Sequence, residues 1–166
     1  MKAIVYTSNA GHAARYAKIL GNKTGLPVYE LGEAAQKLAK GAPILFVGWL
    51  FANTVKDYKK AAKAFRICAV CAVGLCDTGT AIDAVRKANA MADTLPLFTL
   101  QGGMNKQALQ KPYQFAIRIL IKAMESKKLK TDDDLRMIYL LKNDRDYVCE
   151  ENTAAFMQWY RENRAD

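Results

Sequence analysis

The residues best suited to chemistry on a small ligand stand near the start of the chain. An apolar, β-like run, Ala3-Ile4-Val5-Tyr6, leads directly into Thr7-Ser8-Asn9-Ala10-Gly11-His12-Ala13 and then into a helical pattern. A turn of short hydroxyl and amide residues that ends where a helix begins presents free backbone N–H groups and the positive end of the helix dipole. Thr7, Ser8 and Asn9 add side-chain donors, and Gly11 permits close backbone approach. Such a cradle suits a phosphate monoester. The same residues also suit a plain helix start with Ser8 or Asn9 as the N-cap. Spacing alone leaves both readings open.

Other chemistry is thinner. Cys68-x-x-Cys71 has the spacing of a redox or metal-binding pair, but a redox pair belongs at a helix N-terminus, where the dipole lowers the thiol pKa. This one lies in the β-like run Ile67–Val73, where residues three apart face opposite sides. Cys76 and His12 are the remaining partners for a zinc site, and no second paired motif accompanies them. Four cysteines without an export signal read as reduced, structural thiols, and no metal is assigned. The chain shows no Ser-His-Asp or Cys-His set and no paired carboxylates in its candidate loops, so no catalytic side chain is assigned either.

The elements that must position the first turn follow an alternating pattern. Strands are predicted at 2–6, 27–31, 43–48, 66–73 and 95–101, with helices at about 11–24, 32–40, 54–64 and 80–92. Five β–α repeats in 166 residues predict one α/β domain: a doubly wound, five-stranded parallel sheet of order 2-1-3-4-5 with helices on both faces. Ligands of such sheets bind beyond the C-terminal strand ends, where the strand order reverses. That brings together three loops: Thr7–Ala13, Trp49–Asn53 and Gly74–Gly79. The second contributes Trp49, Leu50 and Phe51 as candidate contacts, the third Gly74, Leu75, Cys76 and Asp77.

Residues 102–147 interrupt this pattern as a helical insertion after the fifth strand. Tyr113, Ile117, Leu120, Ile121 and Met124 form an apolar stripe, with Gln114, Arg118, Lys122 and Glu125 opposite, predicting an amphipathic helix over 112–125 that either covers the core or forms a lid shaping a ligand pocket. Thr131-Asp-Asp-Asp134 predicts a turn or cap before the apolar run Leu135–Leu141. A closing helix carries Phe156, Trp159 and Tyr160 as a core-facing stripe.

The first turn resembles the flavodoxin phosphate loop, commonly T/S-x-T-G-N-T after the first strand. Thr7, Ser8 and Asn9 take the hydroxyl-rich positions, Gly11 the glycine, His12 the asparagine and Ala13 the final threonine. The departures fall at the last two residues: Ala13 removes one hydroxyl contact, which a His12 ring N–H can partly replace, unless His12 simply faces solvent. The resemblance implies non-covalently bound FMN, with the loops after strands 3 and 4 flanking the isoalloxazine ring. Trp49 or Phe51 would stack on it, or pack beneath the following helix instead. The loop Gly74–Gly79 lacks the tyrosine many flavodoxins place there, and Asp77 or Thr78 also suits a cap on the helix beginning near Thr80.

Electron-shuttle flavodoxins are usually acidic and lack the insertion, whereas this chain carries a net charge of +9. Both departures are similar to the flavodoxin-like, quinone-linked protoporphyrinogen IX dehydrogenases, whose basic helical insert the stretch Lys111–Met124 resembles. That resemblance spans most of the chain in layout and is specific in the first loop and this helix. It implies an FMN-dependent redox protein or oxidoreductase whose partner is a redox protein, a quinone or a small molecule. The alternative is a flavodoxin-fold interaction module without flavin.

The basic charge is concentrated: residues 105–130 carry seven basic and one acidic side chain, whereas 131–166 carry five basic and nine acidic. An anionic partner is implied, yet no nucleic-acid-binding motif appears. The 112–130 segment, with Lys127, Lys128 and Lys130 at its end, also suits peripheral contact with a membrane. Neither a signal peptide nor an apolar run of the roughly 20 residues a span needs is visible. A cytoplasmic protein, with an option of peripheral contact at the inner membrane face, is the expectation.

Overall fold

Successive strand residues point to opposite faces of a sheet, and here both faces are apolar. Val5, Ile44, Phe46, Val70 and Ala72 face one side, whereas Ile4, Leu45, Val47, Ala69 and Cys71 face the other; each set is buried under its own helices. A computed structural model describes residues 1–163. Its central strands are β1 (Ala3–Thr7), β2 (Val28–Glu30), β3 (Pro43–Phe51), β5 (Arg66–Gly74) and β6 (Leu97–Gln101). They pair in parallel in the order β2-β1-β3-β5-β6, with the short β4 (Thr54–Val55) folded back antiparallel on the end of β3. With β4 set aside this is the expected 2-1-3-4-5 order, and the fold is a flavodoxin-like doubly wound α/β sheet.

The helices between strands are α1 (His12–Thr24), α2 (Leu31–Lys37), α3 (Tyr58–Ala64) and α4 (Ile82–Asn89), and α7 (Ala154–Glu162) closes the described chain. Tyr16, Ala17 and Leu20 of α1 are fully buried together with Phe156 of α7, whose ring meets Phe98 of β6 edge-on at 5.5 Å. The expected helix over 54–64 begins only at Tyr58, because residues 54–55 are taken by β4. The Cys68–Cys71 pair is separated by a bulge: Ile44 pairs with Ile67 but Leu45 with Ala69, leaving Cys68 as the extra residue. Cys71 is fully buried and burial pushes its thiol pKa far up, while Cys68 is partly exposed. All four cysteines are free, and among the described residues no group of three His, Cys, Asp or Glu is placed to hold a metal.

The insertion leaves the end of β6 and returns before α7. Its stem is the strand pair β7 (Gly103–Met104) and β8 (Arg145–Asp146), and its body is a hairpin of α5 (Lys111–Glu125) and α6 (Asp132–Lys142). Gly103 sits at φ 135°, and a Cβ there would lie 2.1 Å from the Arg145 carbonyl oxygen, so the stem closes only on glycine. Helix α6 starts with a capping box, Thr131 Oγ1 accepting from Asp134 N at 3.1 Å and Asp134 Oδ2 accepting from Thr131 N at 3.2 Å. One polar node ties both ends of the insertion to α1. The Tyr16 hydroxyl donates to the Gln101 carbonyl at 2.5 Å, and Asn152 Nδ2 donates to Tyr16 Oη at 2.7 Å and to the Tyr147 carbonyl at 2.9 Å. Among the described residues no helix is long and apolar enough to cross a membrane.

Candidate functional site

The first turn is shaped by Gly11 and Ser8. Gly11 is the N-cap of α1 in a left-handed conformation, φ 92°, and its N–H donates to Ser8 Oγ at 3.1 Å. The first α1 bond runs from Arg15 N to Gly11 O, so the N–H groups of His12, Ala13 and Ala14 have no partner within the helix. No side chain caps α1, so the plain N-cap reading of Ser8 or Asn9 does not describe this turn. Asn9 instead reaches away from it. Its Oδ1 accepts from the Gln110 N–H at 3.2 Å, and its Nδ2 is buried with no hydrogen-bond partner. An amide donor left this way costs about 1–3 kcal/mol unless something accepts from it.

The second loop is a hairpin. Ala52 and Asn53, at φ 48° and 62°, form a two-residue turn from β3 into β4 that neither a glycine nor a proline marks. Buried Asn89 of α4 holds it: Nδ2 donates to the Asn53 carbonyl and Oδ1 accepts from Val55 N, both at 2.9 Å. With β3 thus extended, Trp49 and Phe51 stand on one face at the sheet's edge. Tyr113 of α5 packs into the angle between them, its ring centroid 4.8 Å from Trp49 and 5.1 Å from Phe51, both edge-on. The two aromatics therefore pack under a helix of the insertion rather than under α3. The Lys56 ammonium lies 5.5 Å from the Tyr113 ring centroid.

The third loop is pinned from β6. Thr78 Oγ1 accepts from Gln101 N at 2.9 Å, Gln101 Nε2 donates to the Leu75 carbonyl at 3.2 Å and Thr99 Oγ1 donates to the Thr80 carbonyl at 2.7 Å. Neither Asp77 nor Thr78 caps α4, whose N-cap is Ala81 with no side-chain bond. Asp77 turns outward to an ion pair with Arg136 of α6 at 2.5 Å.

Together the three loops and the hairpin enclose a cavity of about 370 Å³. Its floor comes from Ser8, Asn9, Ala10, His12 and Ala13, its sides from Trp49, Leu50, Phe51, Gly74, Leu75 and Cys76. The roof is apolar and rich in methionine: Met104, Ile117, Leu120, Met124, Met137 and Leu141. Eleven of the fourteen residues expected at the site are thus brought together. Thr7 is nearly buried and donates to the Lys56 carbonyl at 3.2 Å, Gly11 faces an adjoining polar cleft with Arg15 and Asp146, and Asp77 stands outside. His12 lines both spaces. Its pKa is lowered by burial first and by Arg15, against the opposing pull of Asp146. Cys76 is half-buried in the wall, and burial, with Asp77, raises its thiol pKa.

Asn89, Gln110 and the roof methionines 104 and 137 escaped sequence reasoning as site residues. Tyr113 and Met124 lay in a visible stripe, but nothing local distinguishes a stripe over a cavity from one over a core. Comparison with known proteins adds no identity: no family model matches the chain, and neither curated proteins nor solved structures supply a match.

Proposed function

We propose that this chain is an FMN-binding redox protein of the flavodoxin-like class, working as an oxidoreductase on a small apolar molecule. The observation that carries the reading is the cradle at the sheet's switch point: three N–H groups of α1 without a partner in the helix, and an unpartnered amide donor on Asn9 of the turn before it. Ser8 and the His12 ring add donors to an anion there, and a cavity of about 370 Å³ lies within the roughly 300–1,000 Å³ of ordinary ligand sites. When bound, the flavin would supply one- or two-electron transfer. The chain's own part is to hold the phosphate on the cradle, exclude water with the methionine-lined roof and bound the ring's surroundings with Trp49, Leu75 and Cys76.

The roof is what favours an enzyme over an electron shuttle. A carrier that docks to protein partners needs an open flavin edge, whereas α5 and α6 cover this cavity with an apolar roof, which suits a small apolar co-substrate such as a quinone or a porphyrinogen. Purified protein that carries or takes up one FMN, and then reduces a quinone with protoporphyrinogen as donor, supports both parts of the proposal. Loading with FMN but turnover only with a redox protein would leave the cofactor and remove the substrate.

The outer face of the hairpin supports a peripheral membrane partner. Phe115 and Ile119 are exposed beside Arg118 and Lys122 at helical spacing, and Leu129, 91% exposed, stands among Lys127, Lys128 and Lys130. The second reading, a flavin-free interaction module, is favoured by Tyr113, which already occupies the angle between Trp49 and Phe51. A colourless protein that cannot be reconstituted with FMN would establish it.

A further inference from the structure

Helix α5 is seated over the cavity by apolar packing, by the Lys56 ammonium over the Tyr113 ring and by one hydrogen bond to the sheet body. Among the described residues, the hydrogen bond from Gln110 N to Asn9 Oδ1 is the one that joins residues 105–126 to the chain before the insertion. Gln110 is the N-cap of α5, so its N–H has no claim within the helix. That N–H also decides which way the Asn9 amide faces. Only the oxygen can meet an N–H, so the NH2 group turns to the other side of a side chain that lines the cavity. There it is buried and without a partner.

From this arrangement we infer that Asn9 couples ligand to lid: an acceptor oxygen of the bound ligand completes the Asn9 NH2 group, and the same amide plane then holds Gln110 and α5 closed. With the cradle empty, the buried donor is relieved only by turning the amide toward water, which releases the Gln110 N–H. With an oxyanion in place, both ends of the amide are satisfied in one orientation. Coupling of this kind is reciprocal, so α5 seated on Asn9 tightens ligand binding by the factor by which ligand tightens α5. The inference rests on the cofactor proposal for the identity of the oxygen, an FMN phosphate oxygen, but not for the existence of the tie.

Two substitutions separate the functions of the amide. Asn9→Asp keeps an acceptor for Gln110 and loses the donor; Asn9→Ala loses both. The measurements are backbone hydrogen exchange over 113–125 with and without saturating FMN, and FMN affinity from flavin fluorescence. In the ligand-free protein, exchange in α5 should be slowest in Asn9→Asp, which has no stranded donor, and fastest in Asn9→Ala. FMN should slow it further in the unaltered chain, roughly tenfold, and by much less in Asn9→Ala even at saturation, where only the roof contacts of α5 remain. Asn9→Asp should bind FMN at least about tenfold more weakly. Equal α5 exchange in the ligand-free unaltered protein and Asn9→Ala would overturn the coupling whether or not FMN binds. Undiminished FMN protection in Asn9→Ala would overturn it as well. Failure of the unaltered chain to bind FMN, with the ligand-free order intact, removes the cofactor proposal and leaves the tie standing.

Discussion

In the sheet body, fourteen buried side chains pack on each face of the strands, whereas the insertion has four buried apolar side chains of its own, Met104, Ile117, Leu140 and Leu141. The hairpin makes up the deficit by borrowing Phe51 from the end of β3 and Leu75 from the loop after β5. It also carries all six of the exposed large apolar side chains among the described residues. One region is therefore apolar inward, the other apolar on two sides. A region with so small a core opens at lower free energy than the sheet beneath it, and the cavity lies at the border between the two. The body supplies the fixed wall and the hairpin the movable one.

The difference can be broken most forcefully from the body's side. Phe156 is fully buried, its ring packed on those of Phe98, Trp159 and Tyr160, so Phe156→Ala should cost about 3–5 kcal/mol of global stability in denaturant unfolding. Next comes Asn89→Ala, which strands the buried Val55 N–H and frees the β3–β4 turn. A loss of about 2–3 kcal/mol is expected, together with greater near-ultraviolet mobility of Trp49. Gly103→Ala strikes the insertion alone. The stem cannot accept a Cβ, and a loss of about 1–3 kcal/mol should appear as faster proteolysis within 105–142, with the sheet's exchange-protected amides unchanged. Phe115→Ser with Ile119→Ser should leave stability within about 0.5 kcal/mol per site. It should nevertheless abolish co-sedimentation with vesicles rich in phosphatidylglycerol, which the unaltered protein should join in preference to phosphatidylcholine. Unchanged co-sedimentation would remove the membrane partner.

The body was readable because each strand is a short apolar run closed by a glycine, proline or polar cluster, and each helix repeats with its own period. The reversal at β1 then brought the three candidate loops to one cavity without any motif. What escaped reading depends on contacts between distant residues. The β3–β4 turn rests on Ala52 and Asn53 in the left-handed region, which asparagine tolerates and alanine disfavours, and Asn89, far along the chain, holds it. Thr7 looked like a phosphate donor by residue type, yet its hydroxyl is committed to the Lys56 carbonyl. Asp77 looked like a cap and is instead an anchor for Arg136. In α5 the inward stripe was visible, but Phe115 and Ile119 sit between its members, and only the packing shows which apolar face is covered.

His12 gives the finest probe of the border, since it touches the cradle, the cavity and the stem at once. Burial disfavours its charged form, and Arg15 adds to that, while Asp146 on β8 works against both. Its folded pKa is thus below the ordinary 6.5. Above that value the ring is neutral folded and unfolded alike, and it contributes no pH dependence. As the pH falls below it, the unfolded chain takes up a proton that the folded chain resists, so stability declines until the folded pKa is passed. Between about pH 7 and pH 5.5 the unaltered protein should therefore lose more stability than His12→Asn. Asp146→Asn should widen that gap, because it removes the one nearby charge that favours the imidazolium. An oxyanion on the cradle should narrow it, by supplying negative charge where burial alone now acts. Superimposed stability curves for the unaltered protein and His12→Asn would show that the ring titrates as a surface group, and that the border is open to water at His12.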